Sequence, residues 1–99
     1  MGEVIVDVPQ VLAASVDGAR ELRVEVDDDG GSGPRIGAVL DVLAERYPRF
    51  GRKIRNELGE VRRYANVFVG QDNIRDLAGQ ETPVPAGARV MIVQSVAGG

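Results

Sequence analysis

"Ala88-Arg89-Val90-Met91-Ile92-Val93-Gln94" decides the fold of this 99-residue chain. Val90 and Ile92 share one side at period two and Met91 and Val93 share the other, the alternation of a strand. Such a strand must find an edge or a slot in a sheet made by earlier strands. Which neighbour it takes settles the architecture, so the reading works outward from here.

Upstream, "Val4-Ile5-Val6-Asp7-Val8-Pro9" places Val4, Val6 and Val8 on one face, and Pro9 ends the ladder because it has no N–H to donate. "Arg20-Glu21-Leu22-Arg23-Val24-Glu25-Val26" alternates charged and apolar residues, with Leu22, Val24 and Val26 facing inward. The short separation and the turn signal Asp17-Gly18 predict an antiparallel hairpin between the two. "Asp28-Asp29-Gly30-Gly31-Ser32-Gly33-Pro34" then breaks regular structure.

Ile36, Leu40, Leu43 and Tyr47 fall at helical spacing, with Pro34 suited to the opening turn and Pro48 to the stop. Phe50, Ile54 and Leu58, four residues apart, predict a second, weaker helical segment closed by Gly59. "Tyr64-Ala65-Asn66-Val67-Phe68-Val69" returns to strand. "Gly70-Gln71-Asp72-Asn73" reads as a turn before a short edge element at Ile74–Leu77, and Thr82–Gly87 reads as loop.

The order is strand, strand, helix, strand, short strand, strand, which predicts an α+β domain with one main helix on one face of a small mixed sheet. Pairing the last strand parallel to the first, in the sheet centre, gives a ubiquitin-like β-grasp of four to five strands. The expected division is a β-grasp domain over residues 1–95 and a flexible Gly-Gly tail over 96–99.

Length and 43% hydrophobic content suit a single core. There is no cysteine and no histidine, which removes disulfides, thiolate nucleophiles, imidazole bases and the usual zinc ligand sets. A net charge of -3 implies no global attraction to nucleic acid or anionic lipid. The distribution is uneven: Arg46, Arg49, Arg52, Lys53, Arg55, Arg62 and Arg63 stand against only Glu57 and Glu60 in one stretch. That stretch reads as a solvated surface, or else as a docking patch for an acidic protein surface. With no basic leader and no window near the roughly 20 apolar residues of a spanning helix, the expectation is a cytoplasmic protein without membrane or nucleic-acid partners.

Beyond Gln94-Ser95 stand only Val96, Ala97, Gly98 and Gly99. Extended, these four residues carry the terminal carboxylate roughly 13 Å from the body, far enough to enter another protein's active site. Glycine tolerates the close approach and torsions of a narrow channel. If the chemistry happens at the Gly99 carboxylate, the domain needs no catalytic side chains of its own.

"Asn66-Val67-Phe68-Val69", "Asn73-Ile74-Arg75-Asp76-Leu77" with Gly79, Thr82-Pro83 and Gly87, "Val90-Met91-Ile92-Val93" and "Val96-Ala97-Gly98-Gly99" together resemble the ubiquitin-like sulfur carriers of the MoaD/ThiS superfamily. The resemblance implies that Gly99 is adenylated by a ubiquitin-activating-type adenylyltransferase using ATP and converted to a thiocarboxylate. Val96, Ala97 and Gly98 would thread into the partner, and the chain itself would hold no cofactor. The thiocarboxylate would donate sulfur to a biosynthetic enzyme, either cysteine synthase-like or the large subunit of molybdopterin synthase. Thiamine carriers are shorter and lack the segment Arg49–Arg63, and the ending Ser95–Gly99 looks more like the cysteine-biosynthesis type.

Phe68, Met91 and Val93 alternate with inward Val67, Val69, Val90 and Ile92, which makes them a candidate partner-binding strip near the tail. The competing reading buries that strip under another element. Two other function classes use the same fold: a ubiquitin-like modifier joined to target lysines, and a non-covalent interaction module. An enzyme would have to rest on Asp72, Arg75 and Asp76, residue types that in a turn more often cap or solvate than catalyse.

Overall fold

The computed structural model describes residues 2–27 and 33–94. A five-stranded mixed sheet runs in the order β2-β1-β5-β3-β4, with β1 at Gly2–Asp7, β2 at Glu21–Val26, β3 at Ala65–Val69, β4 at Asp72–Asn73 and β5 at Arg89–Gln94. β1 pairs antiparallel with β2, Val4 opposite Val24 and Val6 opposite Leu22. β5 lies between β1, to which it is parallel, and β3, to which it is antiparallel. This central parallel pair is the β-grasp arrangement expected from the sequence.

The main helix α2 (Ile36–Arg46) buries Ile36, Val39, Leu40 and Leu43 against the inward residues Val4, Val6, Val24, Val67, Val90 and Ile92. Its flank is closed by α3 (Pro48–Ile54), which adds Phe50 and Ile54 to the core. Pro48 stops α2, as predicted, and also opens α3. The residue before a proline is driven out of the helical region, and Tyr47 accordingly stands at φ -133°, ψ 80° between the helices.

Several local expectations are corrected. The first hairpin is not a simple turn: α1 (Gln10–Ala13) and a 3-10 turn at Ala14–Val16 intervene and bury Leu12 and Val16, too short a helix for periodicity to register. Pro34 lies outside the first turn of α2. Its carbonyl accepts from Val84 N–H at 2.8 Å, while Ile36 N–H donates to the Thr82 carbonyl at 2.9 Å. A Cβ on Gly33, at φ +97°, would land on the Val84 carbonyl, so this close approach of two irregular segments requires glycine. α3 ends at Ile54, and Leu58 is 83% exposed rather than part of a helical face. Asn56 explains the stop, because its Oδ1 accepts from the N–H groups of Leu58 and Glu60 and builds a turn instead. The edge element is β4 at Asp72–Asn73, with a 3-10 turn at Ile74–Asp76 where the strand was expected. The side-chain oxygen of Asn73 accepts from Arg75 N–H and starts that turn.

Candidate functional site

β5 is held by ladders on both sides, and its last described residue, Gln94, stands opposite Ala65 of β3. The predicted tail residues Val96, Ala97, Gly98 and Gly99 lie outside the described residues, as does Ser95. What the structure supplies is their base: the sheet's central strand, leading up to Gln94.

The helices cover one face of the sheet, and the other is where the sequence placed the candidate strip. Phe68 stands directly opposite Met91 and is half-buried, while Met91 and Val93 are 40% and 37% exposed. All three therefore share the open face, and none is in the buried core. Of the residues expected inward, Val67, Val90 and Ile92 are fully buried, and Val69 is only partly so. Ile5 belongs to the same open face, because β1 pairs it with Arg89. Sequence reasoning passed over Ile5, although an apolar residue at an outward position of "Val4-Ile5-Val6-Asp7" was the available signal.

Charged and polar groups flank this apolar centre. On the β1–β2 side Arg89 donates through Nε and Nη2 to both oxygens of Asp7, at 3.0 and 2.6 Å. Its Nη2 also donates to Glu21 Oε2 at 2.7 Å. The hydrogen bond from Arg89, with its positive charge, holds the Asp7 carboxyl below its usual range against the opposing effect of burial. The two carboxylates in turn raise the pKa of Arg89. On the β3–β4 side Arg75 Nη1 donates to Asn66 Oδ1 at 2.7 Å and Nη2 donates to the Arg62 carbonyl at 2.8 Å. Arg75 is thereby a clamp between β3 and the segment before it.

Apart from Arg63, the basic stretch separates into two groups. Arg55 is tied to Asp41 at 2.8 Å, and Arg46 donates to the Arg23 carbonyl and lies over the Tyr47 ring. Arg49, Arg52, Lys53 and Arg62 instead line an open cleft with Tyr64. Among the described residues no cluster of three or more carboxylates could hold a metal ion, and no helix is long and apolar enough to cross a membrane.

With this geometry in place, the chain can be set beside known proteins. Sulfur carrier protein CysO of Mycobacterium tuberculosis is 26% identical over 98 residues, 97% of this chain and 98% of that protein. The solution structure of small archaeal modifier protein 1 from Methanosarcina acetivorans superposes with a TM-score of 0.79 at 28% identity, covering 100% of this chain and 98% of that one. A chain of the Amycolatopsis orientalis BexX/CysO complex does so with a TM-score of 0.74 at 27% identity, covering 97% and 99%. The family model described as the ThiS family matches residues 10–99. A match that begins in α1 and runs through all of the sheet except β1 leaves one conclusion: this chain belongs to the ThiS family.

Proposed function

We propose that the chain is a sulfur carrier whose reactive group is the Gly99 carboxylate. The carboxylate attacks the α-phosphorus of ATP in an activating enzyme, pyrophosphate leaves, and an acyl-adenylate forms. Hydrosulfide then displaces AMP to give the thiocarboxylate directly; where the nucleophile is instead a persulfide, an acyl disulfide forms, and a second thiol cleaves its S–S bond, freeing the thiocarboxylate and leaving the donor in a disulfide with that thiol. The carboxylate is a poor electrophile until adenylation gives it a leaving group, so the covalent intermediate divides one hard step into two. The observation that carries this reading is the ThiS family match, which extends through Gly99, joined to similarity with a CysO sulfur carrier over nearly the whole chain. The same similarity favours cysteine biosynthesis as the destination, with a cysteine synthase-like acceptor. A molybdopterin synthase large subunit is the alternative acceptor.

In this scheme the chain is a co-substrate, and its lack of histidine and cysteine matches a division of labour in which the partner supplies the catalytic groups. Val96, Ala97 and Gly98 pass through the partner's channel, and the open face around Phe68, Met91 and Val93 docks against the partner. A second reading is supported by the likeness to small archaeal modifier protein 1: the same adenylate captured by a lysine amine of a target protein, giving an amide.

The test is intact mass after incubation with ATP, a sulfur source and a lysate of the source organism, beside a chain lacking Gly99. Replacement of one oxygen by sulfur, in the full chain only, is the expected result. Conjugates of higher mass that vanish with Gly99 would favour the modifier reading, and neither product in a lysate that activates a control carrier would reject both.

A further inference from the structure

We infer that the cleft between α3 and the start of β3 is a docking site for an acidic segment of the enzyme that acts on Gly99. The inference rests on the carrier reading and adds a second contact to it, separate from the apolar open face.

The cleft is lined by Arg49, Arg52, Lys53, Arg62 and Tyr64, four cations and one aromatic ring with no carboxylate among them. Among the described residues three arginines outside the cleft are paired with carboxylates, Arg23 with Glu3, Arg55 with Asp41 and Arg89 with Asp7 and Glu21, while Arg20, Arg35, Arg46 and Arg75 donate to backbone carbonyl or amide oxygens. Among the same described residues no carboxylate partner reaches the four cations of the cleft. The cleft also has a fixed frame, because Arg62 Nε donates to the Arg52 carbonyl at 2.8 Å and joins its two walls. The Arg62 carbonyl in turn accepts from Arg75. Positive charge is thus concentrated in one place on a chain whose net charge is -3.

Its position gives it a partner. Tyr64 immediately precedes Ala65, the residue paired with Gln94, so the cleft adjoins the end of β5. Five residues from Gln94 to Gly99 span at most roughly 18 Å. An enzyme holding Gly99 in its active site therefore has its entrance close to these cations, and carboxylates at that entrance would find them unneutralised. Complementary charge of this kind acts on encounter rate and specificity, and weakens with salt. A nucleic acid is the less favoured occupant, since its affinity comes from many phosphate contacts along an extended basic track, and here the cations are confined to one cleft of a net-acidic protein.

Arg49→Glu with Lys53→Glu is the variant to use, because both side chains are exposed and neither makes a hydrogen bond or ion pair among the described residues. With the activating enzyme of the same source, the double variant is expected to raise KM for the carrier at least tenfold while kcat stays within twofold. The wild-type KM should rise with added salt, and the variant's should not. An unchanged KM with a normal rate overturns the docking site and leaves the carrier reading standing. Absence of any adenylation of the wild-type chain by an enzyme active on a control carrier overturns the carrier reading, and with it the partner named here. A second arm uses the full chain labelled for NMR, titrated with a hexaglutamate peptide and, separately, an oligothymidylate. Shifts confined to the amides of 49–53 and 62–64 with the peptide, lost in the double variant, support the site. No such shifts, or tighter binding of the oligonucleotide, overturn it.

Discussion

Asp7 of β1 is the principal partner of Arg89, the side chain that joins three strands. Its carboxylate receives two hydrogen bonds from Arg89 of β5, and Arg89 also reaches Glu21 of β2. The folded state therefore favours the ionised carboxylate more than the unfolded chain does, and the Asp7 pKa is depressed on folding. A depressed carboxyl stabilises the fold above its unfolded pKa, near 3.9, and loses that contribution as pH falls through the folded pKa. Asp7→Asn should consequently lower the Tm at pH 7, with the gap to wild type closing as the pH is taken well below 3.9. Thermal unfolding of both proteins across that range is the measurement, and a gap independent of pH would mean that the substitution acts through packing. The residue is partly exposed and its pair is screened, so the expected effect is small. Nothing in the sequence marks Asp7 as a partner for a residue 82 positions away; only the parallel register of β1 and β5 brings them together.

Among the elements, the contact of α2 with α3 is the tightest test of packing. A Cβ on Gly51 would stand 2.6 Å from the Ala44 Cβ and 2.8 Å from its Cα, so the helices meet where glycine faces alanine. Gly51→Ala improves helix propensity by about 1 kcal/mol but forces the helices apart. Overpacking of this kind typically costs about 1–3 kcal/mol, and net destabilisation is expected in denaturant titration. Ala44→Gly introduced alongside should not restore stability, because the Ala44 Cα at 2.8 Å remains in the way and glycine within α2 costs about 1 kcal/mol. Long periodic elements were legible in the sequence: β1, β2, α2, β3 and β5 all follow from alternation or helical spacing, because one buried face imposes the pattern on each. The elements misread were short. α1 has four residues and β4 two, and Leu58 continued a helical spacing that the Asn56 turn had already ended. At Asn56 and Asn73 side-chain hydrogen bonds to the backbone start the turns, and hydrophobic period carries no information about them; α1, with no side-chain cap, is simply too short for a period to show.

For the whole molecule, the candidate site was legible as far as the pleat carries it. Strand alternation put Phe68, Met91 and Val93 on one face, and the fold leaves that face open with Ile5 beside them. The basic cleft was visible only as a charged stretch, because its separation from Arg46 and Arg55 depends on which arginines tertiary structure pairs. The proposed docking role of the open face can be separated from a role in the core by Phe68→Glu. Phe68 is half-buried and lies opposite Met91 and Asn73, so its removal forfeits part of the roughly 1.5–3 kcal/mol of a fully buried side chain of that size. A cooperative, modestly lowered thermal transition is expected, whereas Val67→Glu, at a fully buried position of the same strand, should abolish folding. With the fold retained, Phe68→Glu is expected to lower kcat/KM for adenylation of the carrier by at least tenfold. Two results would oppose this. Loss of the folded state in Phe68→Glu would assign the side chain to the core, and unchanged activation kinetics would show that the activating enzyme grips the carrier without the open face.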